Sequence, residues 1–239
     1  MRYTHAAMRG SAKRQTQFQY ASDQSLVVYL GDAISQETNE KVRKLLLLLE
    51  AEPIPNVTNL HPGYCSVLVS FDGLRLRHED LQEILETYLR RIATIALPRP
   101  RVVEIPVCYG GRLGPDLQDV AELHGLTVAQ VIELHVSVEY LVYFLGFVPG
   151  FGYLGELPEA LVTPRLAAPR RVVPAGSVAI AGNQTGVYPF ATPGGWRLLG
   201  QTPLAMFRAD RQPMSYLRIG DRVRFRAISE ERFAASVTL

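Results

Sequence analysis

Between residues 146 and 202 the chain reads GFVPGFGYLGELPEALVTPRLAAPRRVVPAGSVAIAGNQTGVYPFATPGGWRLLGQT, and this stretch limits the possible folds more than any other. Glycine there admits positive φ and close backbone approach, while proline fixes φ and withholds a donor. Interleaved with the short apolar runs 178–181, 187–190 and 196–199, these residues predict short strands joined by shaped turns, a loop-rich β domain. A surface of this kind either holds a ligand or a partner, or belongs to a small barrel whose turns are merely tight. The single tryptophan, Trp196, lies inside it.

The residues before this stretch read differently. Strand signals at 15–21 and 25–30 precede a helix predicted over 35–51, where Val42, Leu45, Leu46 and Leu49 share one face and Ser35 is placed to cap it. Two strands at 57–60 and 66–71 surround the turn His61-Pro62-Gly63, and a second helix follows over 79–94. With a strand at 101–107 the order suggests a sheet covered on one face by two helices, a ferredoxin-like α+β layer. Leu97-Pro98-Arg99-Pro100 is the best linker. Beyond it come helices at 116–124 and 128–136, a ten-residue strand at 138–147, the Gly/Pro-rich region, and a last strand at 222–228.

Several functions are excluded on the residues. A net charge of +2 gives no footprint for nucleic acid or an anionic membrane. No apolar run approaches the roughly 20 residues of a membrane span. The first residues are basic without a following apolar core, so they read as a loose tail rather than a secretory signal. Cys65 and Cys108 are too few for a disulfide framework or a zinc site and read as reduced core residues of a cytoplasmic protein. No phosphate loop, H-E-x-x-H pair or G-x-S-x-G elbow is present; Ser177, in PAGSVAIAG, lacks the second glycine. The helix pair at 116–136 resembles a helix-turn-helix, but seven acidic residues and no basic one separate Arg112 from Arg165. Such a helix would repel phosphates.

Five side chains remain as pocket candidates. His135 stands on the helix face of Val128, Val131 and Ile132, aimed at the core or at a pocket edge. Tyr140 follows on the next strand. Arg170 belongs to a cluster with Arg165 and Arg171 that is either a solvated charge run or a fork for carboxylate or phosphate. Gln184 and Tyr188 flank a turn that either orients a polar substrate or is an ordinary hairpin.

The phrases PVCYGGRLGPDLQDVAELHGLT, YLVYFLGFVPGFGYLGELP and PRRVVPAGSVAIAGNQTGVYPFATPGGWRLLGQTP resemble the family of the B-type subunit of 5-oxoprolinase. That family also takes in allophanate hydrolase subunit 1 and the KipI-type inhibitors of a sporulation histidine kinase. The resemblance covers about residues 26–228. It implies a tail over 1–14, an N-terminal α/β domain over 15–98 and a cyclophilin-like β-barrel domain over 99–239. It also implies an enzyme subunit that acts with A- and C-type partner subunits to convert 5-oxo-L-proline to L-glutamate using ATP. Within that frame His135, Arg170 and Gln184 are the expected catalytic residues, and Tyr140, Tyr188 and Ser177 contact substrate at the barrel mouth. Phe147, Phe151 and Tyr153 form an apolar surface for the C-type partner. No metal is expected. A urea-derived substrate with carboxyl transfer, or inhibition of a sensor kinase, are the alternatives within the family.

Overall fold

A computed structural model describes residues 16–237; the expected tail lies outside the described residues. The chain divides between Ala96 and Leu97 into two compact units. The first runs β1 (Gln17–Ser22), β2 (Ser25–Tyr29), α1 (Gln36–Ala51), β3 (Val57–Pro62), β4 (Ser66–Phe71) and α2 (His78–Arg91). Its four strands pair antiparallel in the order β1-β2-β4-β3. Alternation in β2 and β4 buries Leu26, Val28, Val67, Val69 and Phe71. The apolar stripe of α1 (Val42, Leu45, Leu46, Leu49) is buried as well, and α1 packs on β3 and β4. Ser35 caps α1 by accepting from the Thr38 amide, as its position predicts.

The second unit runs β5 (Val102–Tyr109), α3 (Leu117–His124), α4 (Val128–Val136), β6 (Tyr140–Leu145) and β7 (Gly152–Gly155). It continues through β8 (Arg170–Val173), β9 (Ser177–Ala181), β10 (Gln184–Val187), β11 (Thr192–Gly194), β12 (Arg197–Gln201), β13 (Arg222–Ala227) and α5 (Glu230–Val237). Seven strands close a barrel in the order β10-β7-β6-β13-β5-β12-β9, while β8 and β11 form a separate two-stranded ribbon. The strand predicted at 101–107 therefore belongs to the barrel, where it runs parallel to β13, and not to the first sheet. The ten-residue strand expected at 138–147 is shortened to six, because Phe147 takes a left-handed backbone, φ 67, and ends the pairing. Helix α5 has no counterpart among the elements predicted from the sequence.

Two hydrophobic clusters lie on opposite sides of the barrel wall. In β9, Val178 and Ile180 point inward with Ile105, Val142, Leu154 and Phe225, while Ala179 and Ala181 join an outer cluster with Phe151, Tyr188, Trp196 and Leu198. The strand is buried on both faces, which explains its unbroken apolar run.

Candidate functional site

The barrel wall sorts the sequence candidates into two groups. His135 and Tyr140 are inside. The expectation that they line the barrel mouth is corrected: both are fully buried. Helix α4 turns Val131 and His135, four residues apart, into the same core. Thr185 donates its one proton to the Ala179 carbonyl at 3.1 Å, so it accepts from His135 Nε2–H at 2.9 Å. Nδ1 is then the acceptor for the Tyr109 hydroxyl at 2.7 Å. Tyr140 donates to the His135 carbonyl at 2.8 Å, and Phe225 stacks on the imidazole. Burial pushes the imidazole pKa down to about 3 and lifts the Tyr109 phenol well above its ordinary value. A neutral, doubly hydrogen-bonded histidine with no solvent path is a strut of the core.

The remaining candidates lie on the outer side. Gln184 shares a strand face with Gly186, on which Phe151 and Trp196 rest; a Cβ at Gly186 would lie 2.9 Å from the Phe151 ring. Tyr188 and Phe151 sit edge to face at 5.3 Å, and Tyr153 meets Phe151 at 5.0 Å. Of the three residues expected to face a partner, Phe147 is exposed and Tyr153 half-buried, while Phe151 is buried beneath them. Ser177 and Tyr188, expected to touch substrate, are nearly closed over. Half-buried Gln184 is the reachable polar group among the β9–β10 candidates. Burial raises the Tyr153 and Tyr188 phenol pKa values, and the Arg165 guanidinium nearby opposes both shifts.

Arg170 lies beside this face but is committed. Its Nη2 donates to Asp116 at 2.5 Å, and the other Asp116 oxygen accepts from the Leu198 amide at 2.7 Å. Asp116, which the sequence marks only as one of seven acids, thus ties the β8–β11 ribbon and β12 to the start of α3. A separate cleft of about 870 Å³ opens between α5 and the residues after β12, lined by Arg112, Gln201, Leu204, Glu230 and Phe233 among others. None of the sequence candidates lines it.

In the glycine-rich turn 110–114 ahead of α3, three backbone donors are already used. Gly110 N–H donates to Leu199, Leu113 and Gly114 N–H donate to Gly110, and these donors are unavailable to phosphate. Among the described residues no cluster of potential ligands could hold a metal, and no helix is long and apolar enough to cross a membrane.

The chain thus comprises two units, the second a closed barrel with an aromatic outer face. Residues 16–217 match the family model for the carboxyltransferase domain, subdomain C and D, and the chain belongs to that family. It is 41% identical over 229 residues to the B-type subunit of 5-oxoprolinase from Bacillus subtilis, covering 92% of this chain and 95% of that protein. It is 52% identical over 172 residues to the protein of the same name from Escherichia coli O157:H7, covering 72% of this chain and 78% of that one. Among solved structures, TTHA0988 superposes with a TM-score of 0.76 at 39% identity over 86% of this chain, which spans only 40% of the TTHA0988 chain. The Kluyveromyces lactis urea amidolyase shares the fold, with a TM-score of 0.76 at 17% identity over 95% of this chain and 16% of that one.

Proposed function

We propose that this chain is the B-type subunit of an ATP-dependent 5-oxoprolinase, which opens 5-oxo-L-proline to L-glutamate with hydrolysis of ATP and requires A- and C-type partner subunits. The observation that carries this reading is the identity of 41% over nearly the whole length of a protein named as that subunit of 5-oxoprolinase. On this reading the ATP is handled by other subunits of the complex. The proposal extends to the fold. The first unit has the sheet order of a ferredoxin-like layer with its outer strand supplied first rather than last, and the barrel is of the cyclophilin-like type.

On this reading the outer barrel face forms one wall of a crevice that a C-type subunit closes. Gln184 presents an amide that can accept from a lactam N–H and donate to its carbonyl. Arg170 positions the ribbon beside this wall through Asp116. His135, Tyr140 and Ser177 act in holding the wall, not on the substrate. A cytoplasmic setting is part of the proposal, in keeping with two free thiols, Cys65 and Cys108.

The test is reconstitution. With A- and C-type subunits added, 5-oxoproline should yield glutamate only in the presence of ATP, and Gln184→Ala should lower turnover while the chain still unfolds at the wild-type temperature. No glutamate from the full complex would refute the reading. Carboxylation of a urea-type substrate instead would move the chain to the carboxyl-transfer branch that the family name and the 21% identical yeast urea amidolyase represent.

A further inference from the structure

The outer barrel face continues into an exposed aromatic patch of which the sequence marks only Phe147. That residue is 59% exposed and Phe190 38%. Phe147 stands edge-on to Phe151 and Tyr188. Phe207 packs against Gly150, where a Cβ would lie 2.8 Å from the Phe207 Cβ, and Phe190 and Phe207 are 5.4 Å apart. Met214, bonded through its carbonyl to Arg208, extends the patch at 44% exposure. Phe147 holds its ring outward from a left-handed backbone conformation (φ 67) that a bulky residue adopts at a cost. A large exposed aromatic held in this way marks an interaction site.

The charge around the patch specifies what fits it. Residues 162–218 contain seven arginines, no lysine and a single acid, Asp210. Three of the arginines are neutralised, Arg170 by Asp116, Arg197 by Asp119 and Arg208 by Asp210. Arg165, beside Tyr153 and Tyr188, and Arg211, in the loop that carries Phe207 and Met214, are exposed; Arg165 forms no salt bridge among the described residues, and the Asp210 carboxylate near Arg211 is already held by Arg208. Resting on the subunit reading above, we infer that Phe147, Phe190, Phe207 and Met214 form the docking centre for the C-type subunit. That partner then offers an apolar surface rimmed by carboxylates to Arg165 and Arg211. An aromatic centre within a charged rim is the usual layout of a specific protein interface.

The experiment titrates the full-length chain with the C-type subunit by calorimetry at two salt concentrations. Phe147→Gly, which suits the left-handed backbone, combined with Phe190→Ser should weaken binding by about tenfold or more with an unchanged melting temperature. Arg165→Glu with Arg211→Glu should weaken it and remove most of its salt dependence. Leu74→Ser, at an exposed position of the first unit, should bind as wild type. Wild-type affinity in both patch variants, within a complex that still makes glutamate, would overturn this surface while leaving the subunit reading intact. Failure of the wild-type chain to bind the C-type subunit at all would overturn both. Self-association of the chain alone that Phe147→Gly abolishes would reassign the patch to a second copy.

Discussion

His135 shows how far a single side chain can be read before its surroundings are known. Its place on the face of Val131 aims it inward, and that much is legible from helical spacing. Its partners Tyr109 and Thr185 lie 26 and 50 residues away in sequence, so nothing local shows that both ring nitrogens are satisfied. The consequence is measurable. Because burial holds the native pKa near 3, below the ordinary value of 6.5, the unfolded chain takes up the proton first as pH falls. The stability contributed by the neutral imidazole is whole above about pH 6.5 and declines as pH falls towards 3. Urea midpoints of the wild type should therefore drop more between pH 7.5 and 5 than those of His135→Gln; parallel drops would show that the imidazole is not held neutral. Asp116 is the second such residue. Its replacement by alanine strands Arg170 and the Leu198 amide together, and should cost about 3 kcal/mol in denaturant unfolding. A loss below about 1 kcal/mol would mean that water replaces the carboxylate.

Strand β9 separates what is legible in an element from what is not. An apolar run of four residues, 178–181, ahead of Gly182 reads as a strand, but period alone cannot say whether one face or both are covered. The structure covers both, with the barrel core inside and the Phe151–Tyr188–Trp196 cluster outside. Substitutions on either face should then be costly. Ile180→Ala opens a cavity worth about 2–5 kcal/mol, and Ala179→Leu overfills the outer cluster by about 1–3 kcal/mol. Chemical denaturation of both variants checks this, and tolerance of Ala179→Leu would mean that the outer cluster is loose. Elements with their own start signals are legible nearly to the residue: α1 with Ser35, and α4 with Thr127, whose capping box is present. The ten-residue strand expected at 138–147 overruns, because hydrophobicity returns past Leu145 at Phe147 while the strand backbone does not. Helix α5 leaves no such trace, because among its residues with described side chains only Phe233 is apolar and half-buried, too little to set a period.

Taken over the whole chain, the net charge of +2 conceals a division that matters for assembly. Seven acids and no lysine or arginine fall between residues 113 and 164, and three of the acids are paired within the fold: Asp116 with Arg170, Asp119 with Arg197 and Glu139 with Arg224. The barrel unit makes these pairs within itself and closes its own strands, since β13 pairs with both β5 and β6. Every residue of the candidate face and both hydrophobic clusters fall after Leu97. A fragment of residues 97–239 should therefore fold without the first unit. Trp196, the sole tryptophan, is 5% exposed within the outer cluster and reports on it directly. Its emission in the fragment should be blue-shifted and should be lost on heating in one transition that coincides with the loss of far-ultraviolet circular dichroism. Emission at the wavelength of free tryptophan, or two separate transitions, would show that the barrel depends on the first unit for its packing.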